Sequence, residues 1–346
     1  MEMVTQFITK AAYDTSVGAN AMRQDLSDVI TALETRERPV SQGAPQIDVG
    51  NTTHQWLEQG RNGVAGNGGS PVASYAEAAT PNTAAKAPVK PSNKVAHVGL
   101  TAQVSDTVAA TWTRGGAFTL QLGDEVKLLT EAMDEQIELA SLDCLDFIEC
   151  LHVSGDSASG AFAGGQPDGM IKWITAGGTV VVTGGTSGTP VNMALSFIQK
   201  GARQALESHA PAVDTILVPP ELIYDINSYV GNGASRPITV IAGSGPNGLG
   251  NLVAGNGTVG WVNTGHGLAE VKVEPDLSPL FNPLISQCHV IMYAKRLVKH
   301  GNLIKFGSVP LAKTGTSVQV MVNNVFTQEY RIPKHAILIP NVQSAF

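Results

Sequence analysis

The chain has 346 residues, 29 acidic and 22 basic, for a net charge of −7; only 15% of its residues are charged, against about a quarter in an ordinary domain. A hydrophobic fraction of 43% excludes a wholly disordered chain, and the negative balance argues against a general nucleic-acid binder. No apolar run approaches the roughly 18 residues of a membrane helix, so no membrane partner is expected. Glu2 stands where a secretory signal would be basic, and no apolar block follows it. Cys144, Cys150 and Cys288 are odd in number and lack framework spacing, which predicts free thiols in a reducing compartment.

In chain order, the first 25 residues read as a loosely held arm. A short helix follows, capped by Asp25 or Ser27 and stopped by Pro39. Residues 47–59 read as strand with Trp56 as their one large anchor. From Gly60 to Asn93 the chain turns to Gly, Ala, Ser, Pro and Asn, with Tyr75 its single aromatic. Such a segment buries little by itself. Residues 95–110 alternate again, so the pattern is strand, long small-residue excursion, strand. An extended hairpin-like loop fits this better than a domain.

A helix of about seven turns comes next, with Val126, Leu129, Met133, Ile137, Ala140, Cys144, Phe147 and Leu151 as its buried stripe. Between Asp124 and Glu149 lie nine carboxylates and one base, Lys127. This segment alone is therefore −8, and the rest of the chain is +1. Glu131, Glu135, Glu138, Asp146 and Glu149 fall largely on a second face. Unrelieved carboxylates at helical spacing repel by a few tenths of a kcal/mol per pair. Solvent or a neighbouring chain's bases would relieve that repulsion.

A Gly-rich stretch, then a strand pair over 170–174 and 179–183, precedes a helix opened by Pro190 over 191–208. A buried-type strand over 215–218 leads to a short helix after Pro219–Pro220. Residues 231–266 are turns with short strands at 238–242 and 258–262. The end reads mostly as strand, at 269–273, 289–297, 317–322 and 336–339.

Catalytic signals are weak. Gly243-Ser-Gly245-Pro-Asn-Gly248 matches a dinucleotide fingerprint, but it opens no helix whose N-terminus could hold a pyrophosphate, so it reads as a loop. Glu149-x-x-His152 imitates half of a di-iron motif that needs a second such helix. Phosphate-loop, zinc-protease and nucleophile-elbow signatures are absent, and the eight histidines show no ligand spacing. No catalytic, metal or cofactor residue is assigned. Lys295, Arg296, Lys299, Lys305, Lys313, Arg331 and Lys334 meet few acids in the last third of the chain. They form either a solvated face or the complement of another subunit's acidic helix.

The order of these parts resembles tailed-phage major capsid proteins of the Hong Kong 97-type fold. Locally the sequence is most similar to the capsid family of the phage SU-ten type. Glu34-Thr-Arg-Glu-Arg-Pro39-Val40 resembles that family's N-arm, and His54-Gln-Trp56-Leu-Glu58 its strand into the E-loop. Asn192 to Gly201 followed by Asp214-Thr-Ile-Leu-Val-Pro219 resembles its A-domain opening. Leu311-Ala-Lys-Thr-Gly315 and Val325 to Ile339 resemble its closing strands. Asn323-Asn324 stand where an acidic residue is expected before the final strand pair.

The resemblance implies an α+β chain with an N-arm (1–46), an E-loop (47–112), a P-domain (113–190) with a spine helix at about 123–151, an A-domain (191–288), and P-domain return strands (289–346). It implies a structural protein rather than an enzyme, self-assembling through pentamers and hexamers into an icosahedral or prolate shell around double-stranded DNA. A portal protein at one vertex, a scaffolding protein that is separate or already cleaved away, and a cement protein are the implied partners. The implied location is the virion, after assembly in the bacterial cytoplasm. Candidate intersubunit contacts are Trp56, Tyr75, Glu131, Glu135, Glu138, Asp146, Glu149, Lys295, Arg296 and Lys299. The rival readings are a tail or decoration protein, and a soluble enzyme with an α/β domain near 190–270.

Overall fold

The structure is a computed structural model that describes residues 36–58, 88–105, 124–159, 165–208, 211–226, 261–264, 267–312 and 317–345. The chain divides into two compact units. One comprises 1–35, 101–142 and 308–322, the other 36–100, 143–307 and 323–346. The expected arm and the helix near Asp25, the excursion with Tyr75, and the Gly243–Gly248 loop lie outside the described residues.

The larger unit is built on a mixed sheet ordered β5-β13-β10-β7-β9-β8. Its strands are β5 (Thr179–Val180), β7 (Thr215–Val218), β8 (Trp261–Asn263), β9 (Leu268–Val273), β10 (Cys288–Tyr293) and β13 (Ile337–Gln343), with β6 (Val191–Asn192) alongside β13. β10 runs antiparallel to both β13 and β7, whereas β7 and β9 are parallel.

Both faces of this sheet are covered, and strand alternation sorts the side chains. Ile216, Val218, Val290, Met292, Ile337 and Ile339 face one core with Ile198, Ala202 and Ala205 of a helix at Leu195–Glu207. Leu217, Ile291, Tyr293 and Leu338 face another core with Val40, Val153, Met170, Ile174 and Leu277. Every residue of β7 is therefore buried, which is why it reads as a continuous apolar run. The helix approaches the sheet closely at Gly201, where a Cβ would stand 2.9 Å from Ile337 Cγ2.

Three expectations need correction. Met170–Gly177 is a helix, not a strand: Met170 and Ile174, four apart, are its buried stripe. A short apolar run does not by itself distinguish the two periods. The helix expected from Val191 begins at Leu195, because Val191 and Asn192 pair with Val342 and Gln343 of β13. Pro39, expected to stop a helix, opens one at Pro39–Gly43, where its missing N–H costs nothing. In addition, β11 (Val298–Pro310) is a strand that the pattern missed. The helices are numbered α1 (Pro39–Gly43), α2 (Asp124–Ser154), α3 (Met170–Gly177) and α4 (Leu195–Glu207).

A second sheet orders β1-β11-β12-β4, from β1 (Gln46–Asp48), β11, β12 (Ser317–Tyr330) and β4 (Ala96–Ser105). β2 (Thr53–Gln55) and β3 (Ser92–Lys94) form a two-stranded antiparallel ladder, closed by a bridge between Glu58 and Val89. In the smaller unit Leu311 N–H donates to Gln319 O at 3.0 Å, Met133 and Ala140 of α2 turn inward, and Asp134, Glu138 and Leu139 turn outward. The three cysteines are free.

Candidate assembly elements

For a protein with no catalytic signature, the informative places are those where one segment is tied to another. The first is a strap, Arg36–Ser41, fastened to the C-terminal half of α2. Glu149 is fully buried. Its two carboxylate oxygens accept the backbone N–H groups of Val40 (2.7 Å) and Ser41 (2.8 Å). These are N–H groups of the first turn of α1 that have no partner within that helix, so a side chain from α2 caps α1 across 108 residues of sequence. Asp146 accepts from Arg38 Nε at 2.5 Å and lies 3.2 Å from Arg36 Nε. Arg36 Nη2 also donates to the Asp146 carbonyl (2.9 Å) and to Asp276 Oδ2 (3.0 Å).

Two further carboxyls complete this cluster. Glu274 Oε1 accepts the Asp276 N–H at 3.1 Å and caps the turn Pro275–Leu277. Burial pushes Glu274 well above the ordinary carboxylate range, and the adjoining Glu149 carboxyl pushes it further. Asp276 is raised to about 7, also chiefly by burial; Arg36 opposes that shift, and Glu149 and Asp146 add to it.

The second place is the root of the excursion. Trp56 is 6% exposed, its ring 5.5 Å from Trp173 and 5.6 Å from His54. Its Nε1–H donates to Glu58 Oε1 at 2.9 Å, and the same oxygen accepts the Ile332 N–H. On the returning strand, buried Asn93 uses both ends of its amide. Nδ2 donates to the carbonyls of Gln328 (2.9 Å) and Asp168 (3.2 Å), and Oδ1 accepts the N–H of Asp168 (2.8 Å) and of Lys94 (2.9 Å). The β2–β3 ladder is thus anchored to β12 and to the entry of α3.

The third is a buried polar chain along the same core. His152 and His300 share a hydrogen bond at 2.8 Å, His300 continues to Asn302 Oδ1 at 3.0 Å, and Phe326 stacks on the His300 ring. Burial holds both imidazoles below their ordinary range, hence neutral. Glu149 and His152 serve different partners, so the Glu149-x-x-His152 spacing carries no ligand set. Among the described residues no group of three or more His, Cys, Asp or Glu is placed to hold a metal ion.

The candidate contact residues divide accordingly. Trp56 and Glu149 are buried inside the chain and are withdrawn as surface contacts; Asp146 is engaged by Arg36 and Arg38. Glu138 is exposed, as are Asp134 and Asp143 on the same helix. The side chains of Glu131 and Glu135, and all of Tyr75, lie outside the described residues. Lys295 pairs with Glu270 at 2.6 Å, Lys299 lies 3.9 Å from Glu329, and Arg296 is exposed with no ion pair among the described residues.

The family model of the SU10 major capsid protein matches residues 5–343. The chain belongs to that family. It is a major capsid protein, a building block of the phage head shell, and the readings as a tail protein or a decoration protein give way. Solved structures share the fold. The capsid of a native GTA particle is 11% identical, with 94% of this chain and 97% of that chain covered and a TM-score of 0.56. A chain of Gordonia phage Cozz is 11% identical, covering 96% and 94% with a TM-score of 0.57. The capsid of Myoviridae phage XM1 is 12% identical, covering 93% and 97% with a TM-score of 0.53. No curated protein matches the sequence.

In this chain the strap and the β2–β3 ladder each tie one described segment to another. Sequence reasoning named Trp56, Asp146 and Glu149 but missed Arg36, Arg38, Asn93, Glu274 and Asp276. Their partners lie 75 to 240 residues away, and the only local signal was the polarity of Arg36-Glu-Arg38 immediately before Pro39.

Proposed function

We propose that this chain assembles through pentamers and hexamers into a closed icosahedral or prolate shell around double-stranded DNA, with no enzymatic step. In this reading residues 1–46 are the N-arm, 47–112 the E-loop, 113–190 and 289–346 the P-domain, and 191–288 the A-domain of a Hong Kong 97-type fold. The observation that carries it is the family match running through nearly the whole chain rather than one domain. The low charge density agrees, since interface cores are depleted of charge. A surface that is not basic overall also avoids gripping packaged DNA along its length. Glu138 of the acidic helix, which is exposed, meets the exposed Arg296 of an adjacent copy. A portal at one vertex, scaffolding protein and cement protein are its further partners, and assembly takes place in the host cytoplasm before the shell becomes part of the virion.

The test is expression of the full chain, alone and with a candidate scaffold, followed by size exclusion and negative-stain microscopy of the void fraction. Closed shells or five- and six-membered rings are expected. A stable monomer at high concentration under both conditions would overturn the proposal.

A further inference from the structure

The segment that joins β9 to β10 carries an uncharged turn whose apolar side chains stand out from the fold. No Asp, Glu, Lys or Arg lies between Asp276 and Lys295. Within residues 279–284 only Asn282 is buried. Leu280 is 77% exposed, Phe281 52% and Leu284 41%, and Pro279 and Pro283 beside them are exposed as well. Apolar residues scattered singly over a surface are ordinary, but three large ones within five positions make a patch.

Polar contacts beneath the turn hold it in that shape. Asn282 Nδ2 donates to Ser154 Oγ at the end of α2 and to the Asp276 carbonyl, both at 2.8 Å, and Asn282 Oδ1 accepts the Leu284 N–H at 3.0 Å. The Ser278 carbonyl accepts the N–H groups of Phe281 (3.3 Å) and Asn282 (3.0 Å). Ser278 Oγ accepts the Leu280 N–H at 3.1 Å and donates to Glu221. On the way into β10, Ser286 Oγ shares a hydrogen bond with Ser187 Oγ, and Gln287 Nε2 donates to the Ser187 carbonyl, each at 2.8 Å. Pro279 and Pro283 fix two further backbone angles. The tip is thus ordered within the chain, and contact with a partner costs little further ordering.

We infer that Leu280, Phe281 and Leu284 form a rigid knob that seats against a second copy of this chain in the assembled shell. The inference rests on the chain being a shell building block, and it names one surface through which copies meet. A shell repeats one chain edge to edge, so the principal neighbour of each copy is another copy. Aromatic and aliphatic side chains without charge have the composition of an interface core. They offer nothing to DNA phosphates, which are held by bases and polar donors. Contacts that close a ring are head-to-tail, so the knob enters a different surface of the next copy rather than its own counterpart.

Photo-crosslinking of the purified full-length chain identifies the occupant. Phe281 replaced by p-benzoylphenylalanine keeps an aromatic ring at the tip. Irradiation of the assembled fraction is expected to give covalent chain-to-chain dimers on a denaturing gel, with or without a candidate scaffold. Leu280→Ser combined with Phe281→Ser changes only exposed side chains, so the thermal midpoint is expected to match the wild type. The assembly threshold read by light scattering is expected to rise by roughly tenfold or more, and the rise to persist at 1 M salt, where ionic contacts are screened. An assembled chain that gives no chain-to-chain adduct, or an adduct with the scaffold alone, overturns the knob and leaves the shell reading standing. So does a double variant that assembles at the wild-type threshold, or a rise that vanishes at 1 M salt. A wild-type chain that stays monomeric throughout overturns both. If the double variant does not fold, the crosslink alone decides.

Discussion

Arg296→Glu separates contact between copies from folding within one copy. Lys295 and Lys299 have carboxylates inside the chain, Glu270 at 2.6 Å and Glu329 at 3.9 Å, so reversing either also perturbs the fold. Arg296 is exposed and has no ion pair among the described residues, so reversing it changes what a neighbour meets and little else. An exposed pair contributes about 0.2–1 kcal/mol. Reversal removes that attraction and adds a comparable repulsion, about 1 kcal/mol per contact, equivalent to about fivefold in the concentration at which assembly begins. Light scattering against protein concentration at low salt reads that threshold. At 1 M salt the Debye length is about 3 Å and the difference from wild type should vanish. Adding Glu138→Lys restores opposite signs and should recover the threshold. A threshold unmoved at low salt, or a shift that persists at high salt and resists Glu138→Lys, refutes the pairing of Arg296 with the acidic helix.

Two further predictions concern the body that carries these surfaces. Gly169→Ala puts a Cβ 2.6 Å from Gly155 N and 2.9 Å from Leu151 O, backbone atoms at the junction of α2 and α3 that have no rotamer to yield. A loss of about 1–3 kcal/mol is expected, visible as a thermal midpoint several degrees lower; Gly188→Ala, which meets open space, is the control and should leave it unchanged. His289, whose Nδ1 accepts the Asn341 N–H at 3.2 Å, is lowered to about 4 by burial. The unfolded state therefore takes up its proton first, and stability is lost as pH falls from about 6.5 toward 4. Relative to His289→Gln, the wild type should lose about 2 kcal/mol between pH 6.5 and 5 in urea titrations, and parallel curves would refute that role.

What the sequence shows of this fold depends on whether a segment's periodicity survives its neighbours. The stripe of α2 is legible because Met133, Ala140, Cys144 and Leu151 face a core at steps of seven, four and seven over 31 residues. β7 is legible because both its faces are covered. β11 is not, since His300, Gly301 and Asn302 are buried by their pairing with β1 and by a polar chain rather than by apolar alternation. The run Met170–Gly177 misleads because two large side chains, Met170 and Ile174, decide its state through contact with residues more than 100 positions away. Local propensity has little weight against that burial.

The acidic helix carries the same lesson in charge. A count of nine carboxylates and one base locates the element, but composition treats all nine alike. The fold does not. Toward its C-terminal end the helix turns Asp146 and Glu149 inward, onto two arginines and two backbone amides of a segment more than 100 residues earlier. Glu138 and Asp143 stay outside. A buried carboxylate without partners would be expelled or neutralised, so the inward pair is tolerated only because the strap is docked. The strap in turn depends on that pair for its cap. The two dependences are one coupling between the strap and the C-terminal half of α2.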